Sequence, residues 1–356
     1  MDPLLCAATL NRRSQGLAPD EGLSLDGGPG GEAGGLPSKG TPLGTRPPVS
    51  LPAAQAQTRS WLPPTPLDLP LTLTPLRRGP ADPTYRAAPD GSFWRATRTP
   101  RGPGTLRITA RAGMVEAQAW GPGAEWLLEA APGLLGADDD PGAFTPRHRL
   151  VAAALHRAPG LRLTRTGLVL ESLIPTVLEQ KVTTEEAFRA WRFLVRRHGE
   201  PALGPSPDLW VMPDPRAWTL IPSWDWHRAG VDDKRAATIL RAARAARRLE
   251  EAAGLPADRA MARLELIPGI GPWTSAETVQ RSHGAPDAVT TGDLHLPGIV
   301  GHALADDRDA DDAAMLELLA PYAGQRHRAV RLIMLSGRIP ARRTPKMYGA
   351  RPRHWQ

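Results

Sequence analysis

The sequence LIPGIGPWTSAETVQRSHGAPDAVTTGDLHLP, residues 266–297, is the most informative part of this chain. It joins two helical patterns through a short turn, residues 268–272, whose glycines permit a positive φ and a close approach of another backbone. Ile270, between Gly269 and Gly271, is apolar and is expected to fill the core. The amides at the start of the second helix carry partial positive charge. The turn is therefore predicted to receive a phosphate oxygen.

The donors of this predicted phosphate site follow from the sequence of the turn. Pro272 has no N–H, so the donors are Gly269, Gly271 and the amides from Trp273 onward. An ordinary corner between two helices also needs glycines, and that alternative stays open. The whole pattern Leu-x-x-Ile-Pro-Gly-Ile-Gly-x-Trp-Thr-Ser is rarer than a lone Gly-x-Gly. We interpret it as a helix–hairpin–helix, which grips a DNA backbone without reading its sequence.

Asp293 follows Gly292 in the loop after the hairpin and precedes another predicted helix. A carboxylate at this position can cap that helix, which contributes about 1 kcal/mol, or it can act in catalysis. The two roles are compatible, because a helix N-terminus favours the ionised carboxylate that a base or a charge-stabilising group requires. We predict Asp293 as the catalytic residue.

Composition and periodicity divide the chain into four parts. Residues 1–66 contain 21 Gly or Pro and no periodic apolar pattern, which predicts a disordered tail. Residues 67–145 hold alternating runs, including LDLPLTLTPL, and are predicted to form a small antiparallel-sheet domain covered by one short helix. Residues 146–340 are predicted to form one all-helical domain, and residues 341–356 a basic flexible tail.

Bulk properties limit the partners and cofactors. The net charge of +7 favours a polyanionic partner. Cys6 is the only cysteine, so neither a cysteine zinc site nor an iron–sulfur cluster is predicted, and no cofactor or metal is expected. Neither an apolar run of membrane-spanning length nor a secretory signal is found in the sequence. We predict a cytoplasmic, nucleoid-associated monomer.

The order of hairpin, Gly/Pro loop and Asp293 resembles the helix–hairpin–helix DNA glycosylase superfamily. The segments LVLESLIPTVLEQKVT, residues 168–183, and AGVDDKRAATI, residues 229–239, are similar to two further segments of that superfamily. Strands before the helical domain make the chain similar to the 3-methyladenine DNA glycosylases of the alkylation-repair branch. The resemblance covers about residues 67–340. It implies a mainly α protein, with a helical glycosylase domain preceded by a small antiparallel sheet.

The resemblance also implies an activity. Such an enzyme flips a damaged base out of double-stranded DNA and hydrolyses the N-glycosidic bond of an alkylated purine such as 3-methyladenine. Bifunctional relatives carry a Schiff-base lysine where this chain has Trp273, so no AP lyase activity is expected. Asp293 would stabilise the developing sugar cation or orient the attacking water. Two alternatives stay open: a non-catalytic DNA-binding protein, and a glycosylase for another damaged base.

Candidate binding residues complete the interpretation. Lys181 stands where relatives often insert an apolar wedge, and it is expected to bind phosphate instead. The basic run of residues 234–248 is either a solvated helix face or a stripe that flanks DNA. Aromatic faces would hold a cationic base, although core packing of Trp224 and Trp226 remains the alternative. The predicted base pocket comprises Trp273, Trp224, Trp226, Tyr322 and Gln325; the predicted DNA-binding residues are Gly269, Ile270, Gly271, Trp273, Thr274, Gln180, Lys181, Lys234 and Arg235.

Overall fold

The computed structural model describes residues 56–205 and 208–340. Its N-terminal part is an antiparallel sheet of five strands in the order β1-β5-β4-β3-β2. Leu106 pairs with Ala119 and Ile108 with Ala117, and these four side chains are buried on one face. That face packs against helix α2. The strands are β1 (Gln57–Trp61), β2 (Tyr85–Ala87), β3 (Phe93–Thr99), β4 (Gly102–Arg111) and β5 (Met114–Trp120); the first two helices are α1 (Leu69–Leu73) and α2 (Ala124–Leu134).

Two local predictions for this part of the chain are wrong. The segment Gln57–Trp61, within the predicted tail, pairs with β5 as an edge strand. Its residues are exposed except for the half-buried Trp61, so it lacks the alternation that marks a buried face. LDLPLTLTPL forms α1 rather than a strand, because Asp68 accepts a hydrogen bond from the Leu71 amide and Pro70 occupies the first turn. Of the other predicted tail residues, 1–55 and 341–356 lie outside the described residues.

The rest of the described chain is helical apart from a two-stranded hairpin. The helices from α4 to α11 share one apolar core, and α3 with α12, α13 and α14 surrounds a second. The predicted combination of helices with a small antiparallel sheet is confirmed. The elements are α3 (Arg149–Arg157), α4 (Val169–Leu178), α5 (Thr184–His198), β6 (Glu200–Pro201), β7 (Trp210–Val211), α6 (Pro215–Thr219), α7 (Ser223–Ala229), α8 (Asp233–Arg244), α9 (Ala246–Glu250), α10 (Ala257–Glu265), α11 (Pro272–Ser282), α12 (Leu296–Ala305), α13 (Asp312–Leu319) and α14 (Arg326–Ser336).

Helix α4 is the central support of the helical part. All its residues except Glu171 are buried, as its apolar sequence predicts. Glu171 forms an ion pair with Arg95 of β3, and Glu179, after the helix, accepts from Arg78 at 2.6 Å. Burial raises the pKa of the Glu171 carboxyl and lowers that of the Arg78 guanidinium. These ion pairs connect the sheet region to the helix against which α11 packs.

Candidate active site

The turn between α10 and α11 has the geometry that its glycines predict. Gly269 has a φ of +100°, and a Cβ at this position would lie 2.1 Å from Thr238 Oγ1 of α8. Both conditions require glycine. Ile270 is buried in the core, and its amide donates to the Ile267 carbonyl at 3.0 Å. The turn is therefore held directly against α8.

Two side chains support the turn by binding its carbonyl groups. Gln180, just beyond α4, donates from Nε2 to the Gly269 carbonyl at 3.0 Å and to Thr274 Oγ1 at 2.8 Å. Arg241 of α8 donates from Nη1 to the Pro268 carbonyl at 3.0 Å. The hairpin is thus fixed by α4 and α8 in addition to its own helices.

The amides of the turn are left free. Within the described part of the chain, the N–H groups of Gly269, Gly271 and Trp273 have no protein acceptor. The first intrahelical bond of α11 runs from the Ser275 amide to the Gly271 carbonyl at 3.0 Å, so the earlier amides stay unpaired, as at any helix start. A Cβ on Gly271 would meet no protein atom within 4 Å. These free donors border open space, which suits an anion.

Asp293 lies beside the hairpin and is oriented by three N–H donors. Its Oδ1 accepts from the amides of His295 and Leu296, each at 2.8 Å, which caps the start of α12. Its Oδ2 accepts from Trp273 Nε1 at 3.0 Å. Asp293 and Trp273 are both half-buried. Among the residues that the structure describes, Asp293 forms no ion pair, so its charge is not compensated by a cation of the protein.

A buried polar network lies behind Asp293, and it was not predicted from the sequence. Thr290 Oγ1 donates to Glu277 Oε1 at 2.7 Å and accepts from Gln280 Nε2 at 2.9 Å. Gln280 also donates to the Ala288 carbonyl at 2.9 Å. Trp273, Glu277 and Gln280 are spaced four and three residues apart, so they share one face of α11. From this face, the three side chains bind the loop of residues 284–293 at the Ala288 carbonyl, at Thr290 and at Asp293. The spacing of Trp273, Glu277 and Gln280 at i, i+4 and i+7 was the feature of the sequence that could have indicated this network.

Several predicted DNA-binding side chains turn out to be internal. Arg235 is buried, and it donates to Asp232, to the Leu178 carbonyl and to the Gly230 carbonyl. It therefore caps the end of α4 and is not available to a phosphate. Thr274 is buried under Gln180, so its hydroxyl is also committed to the protein. Lys181 and Lys234 are exposed, and Lys181 has a φ of +55°, which is unusual for a residue with a side chain.

The predicted base pocket is also only partly assembled. Trp226 is buried and stacks on Trp218, with ring centroids 6.0 Å apart, so it belongs to the core. Tyr322 is buried, and its hydroxyl accepts the amides of Arg147 and His148. Burial raises the pKa of this hydroxyl. Both side chains are unavailable to a base, because packing covers their rings.

The remaining pocket candidates differ in their surroundings. Trp224 is 64% exposed and no described contact joins it to Asp293. Gln325 accepts from Arg328 Nε at 2.9 Å, which ties its amide to a buried arginine. Trp273 is the one predicted pocket residue that contacts Asp293 among the described contacts. Leu294, which follows Asp293 in sequence, is 88% exposed.

The described residues hold neither a metal-binding cluster nor a membrane-spanning helix. No cluster of three or more His, Cys, Asp or Glu side chains within residues 56–205 and 208–340 could hold a metal ion. The helices in the same ranges are all too short or too polar for a membrane crossing.

Comparison with known sequences gives one type of relative. No family model matches the chain. The "Probable bifunctional transcriptional activator/DNA repair enzyme AlkA" of Mycobacterium tuberculosis is 31% identical over 215 residues, which cover 58% of this chain and 43% of that protein. The same protein matches equally in a second strain of that organism. The chain therefore spans less than half the length of these relatives.

Solved structures with the same fold are more distant in sequence. MBOgg1 in complex with a low-affinity DNA ligand has a TM-score of 0.64 at 15% identity, over 80% of this chain and 98% of that one. The 3-methyladenine DNA glycosylase from Archaeoglobus fulgidus has a TM-score of 0.63 at 15% identity, over 78% and 97%. The 8-oxoguanine glycosylase/lyase of Clostridium acetobutylicum, bound to DNA, has a TM-score of 0.62 at 11% identity, over 77% and 92%. At these identities the similarity defines the fold alone.

Proposed function

We propose that this chain is a member of the helix–hairpin–helix DNA glycosylase superfamily and acts as a monofunctional DNA glycosylase that removes alkylated purines such as 3-methyladenine. The observation that carries the proposal is the position of Asp293. Its carboxylate contacts Trp273 at the start of the same helix whose free amides border the hairpin. A group that binds phosphate and a group that can stabilise a cation therefore lie side by side.

The proposed reaction follows from this arrangement. The hairpin amides bind a phosphate of the duplex, and the damaged nucleotide is turned out of the stack. The N-glycosidic bond then breaks, its electron pair leaves with the base, and an N-alkylated cationic purine departs as the neutral base. The sugar becomes an oxocarbenium ion, which the Asp293 carboxylate stabilises. Water adds to the anomeric carbon and loses a proton, either to Asp293 or to solvent.

Absence of lyase activity is part of the proposal and depends on Trp273. A Schiff base with the sugar needs a primary amine at the reacting centre. The residue that contacts Asp293 from α11 carries an indole, which cannot form one. The expected product is an intact strand with an abasic site. Trapping with borohydride should give no covalent protein–DNA adduct, and an adduct would contradict the monofunctional assignment.

The test is release of bases from methylated duplex DNA by the wild type and by Asp293→Asn. The wild type should release free 3-methyladenine, and the variant should be slower by at least about a hundredfold, since a charge-stabilising group is lost. DNA binding should persist in the variant. Asp258→Asn, which alters an exposed carboxylate of α10, is the matched control and should keep the wild-type rate.

Three outcomes separate the alternatives. Equal release by the wild type and by Asp293→Asn would reject Asp293 as the catalytic group. Binding of DNA without release of any base would favour the non-catalytic DNA-binding protein. Release of 8-oxoguanine, and not of methylated purines, from matched duplexes would move the substrate to oxidised bases.

A further inference from the structure

A groove lined almost entirely by arginines lies next to the hairpin. It forms where α8 ends at Arg244 and α9 begins at Ala246, and it is open, with a volume of about 430 Å³. Ala245, between the two helices, also lines it. The side chains around it belong to Arg241, Arg244, Arg247 and Arg248, and we call this surface the arginine groove.

The positive charge of the arginine groove is not neutralised within the described residues. All four arginine side chains are exposed, and none of their guanidinium groups forms an ion pair with a described residue. Two nearby carboxylates are committed elsewhere. Glu250 accepts the amides of Val169 and Leu170 at 2.9 and 2.8 Å, and Glu251 pairs with Arg263 at 3.5 Å. Surfaces usually intersperse charges of both signs, so four adjacent arginines without acids repel one another.

The groove is physically continuous with the phosphate-binding turn. Arg241, its first member, donates to the Pro268 carbonyl of the hairpin at 3.0 Å. Thr238, one turn earlier on α8, is the residue against which Gly269 packs. From Thr238 to Arg244 the helix rises about 9 Å. Measured along the axis of a duplex, this length spans roughly three phosphates of one strand.

We propose that the arginine groove is a second phosphate-binding surface, which extends the DNA contact beyond the hairpin along α8 and α9. The inference rests on the proposed function in taking duplex DNA as the partner. Arginine suits this partner because its planar fork pairs with phosphate oxygens through two parallel hydrogen bonds. Such a contact does not distinguish one DNA sequence from another. When DNA occupies the arginine groove, its phosphates relieve the repulsion among the four arginines.

The test is the salt dependence of binding to a short undamaged duplex, measured by fluorescence anisotropy between about 50 and 200 mM salt. Arg244→Ala combined with Arg247→Ala should reduce the slope of log K against log salt by about 1.8, because each phosphate contact contributes about 0.9. Between about 50 and 200 mM salt, the wild type should therefore lose about 12-fold more affinity than the variant.

Two further double variants act as controls. Arg244→Lys with Arg247→Lys keeps both charges and should keep most of the slope. Arg111→Ala with Arg157→Ala removes two exposed charges, one at the end of β4 and one at the end of α3, and should leave the slope as in the wild type. An unchanged slope in the groove alanine variant, or an equal drop in the Arg111/Arg157 variant, would overturn the proposal.

Failure of this proposal is distinguishable from failure of the proposed function. The anisotropy measurement involves no base release, so a protein that binds through the groove but excises no base would refute the enzymatic assignment alone. A protein that excises bases with an unchanged salt slope in the groove variant would refute the groove alone. Absence of any DNA binding by the wild type would overturn both.

Discussion

The hydrogen bond between Trp273 Nε1 and Asp293 Oδ2 is the contact on which the proposed chemistry depends most directly. It joins the first turn of α11 to the loop before α12, across twenty residues of chain. A carboxylate that is fixed by donors on both oxygens keeps one orientation while charge develops at the sugar. Pre-orientation of this kind removes the cost of rearrangement during the reaction.

We expect Trp273→Phe to slow base release while DNA binding is largely kept. The ring remains to face a base, but the N–H donor to Asp293 is lost. Hydrogen bonds to charged groups contribute about 1.5–3 kcal/mol, so a fall in the single-turnover rate constant of about 10- to 160-fold is expected. Single-turnover release from methylated DNA measures the effect.

Trp126→Phe is the matched control for this experiment. Trp126 is a half-buried tryptophan of α2, in the sheet region and away from the hairpin, and its replacement should leave the release rate unchanged. If Trp273→Phe released bases at the wild-type rate, the orienting role of the indole N–H would be rejected.

Sequence reasoning located the hairpin and Asp293 but could not sort neighbouring side chains by burial. Trp224 and Trp226 are two residues apart on α7, and a rotation of about 200° along a helix puts one outside and the other in the core. Lys234 and Arg235 are both cationic, yet only Arg235 lies over the end of α4 and caps it. Which face of a helix meets the core is set by tertiary packing, which adjacent residue types do not encode.

Helix α11 sets the geometry of the whole Asp293 loop. Trp273, Glu277 and Gln280 hold the loop from one helix face, and Thr290 is bonded to two of them. Arg281 of the same helix donates to Glu277 at 2.7 Å, which keeps that carboxylate in place. The hairpin amides and Asp293 are therefore positioned by a single rigid element.

Thr290→Val should therefore lower both stability and activity. The change keeps the shape of the side chain but leaves Glu277 Oε1 and Gln280 Nε2 without one partner each, in a buried site. Loss of such a partner costs about 1–3 kcal/mol in the free energy of unfolding. Denaturation in urea would measure this loss, and release of methylated purines should slow as well.

Thr290→Ser provides the comparison, since it retains the hydroxyl and loses only a methyl group. It should recover most of the stability and of the release rate. Equal behaviour of the valine and serine variants would show that the hydrogen bonds of Thr290 do not position the loop.

Element predictions succeeded where an apolar period was present. The runs that became β4 and β5, and the buried helix α4, could be predicted because each buries a regular set of apolar residues. The edge strand β1 was missed, because backbone pairing with β5 rather than a buried face holds it. Helix α1 was mistaken for a strand, because over five residues the Asp68 cap outweighs apolar alternation.

On the scale of the whole molecule, the N-terminal segment and the helices meet at buried cations. Arg281 Nε donates to the Pro75 carbonyl at 3.0 Å, and Arg331 Nη2 donates to the Leu71 carbonyl at 2.9 Å. Burial lowers the pKa of Arg331 to about 10. His327 is buried in the same region, and desolvation, with the nearby Arg331, Arg281 and Arg328, lowers its pKa well below the ordinary 6.5.

We expect the buried His327 to make the fold sensitive to mild acid. The unfolded chain binds a proton at this histidine near pH 6.5 and the folded chain does not, so its contribution to stability is complete above pH 6.5 and is lost as the pH falls below that value. The free energy of unfolding should therefore decrease progressively as the pH falls below 6.5.

His327→Gln removes this titration and serves as the comparison. The free energy of unfolding, obtained from urea denaturation at a series of pH values, should fall less steeply below pH 6.5 in the variant than in the wild type. The buried carboxyls titrate in both proteins, so their contribution cancels in the difference. Identical pH profiles would contradict the assignment.

The fixing of the hairpin turn by Gln180, Arg241 and Thr238 has a consequence for how this protein would find its substrate. If the proposed DNA contact is made, a turn anchored on three sides will change shape little, and the nucleic acid will supply most of any distortion. On the proposed function, base steps that kink or unstack at low cost would then be bound preferentially, before the enzyme contacts the base itself. The local deformability of the duplex would then determine which sites the protein binds first when it searches for damage.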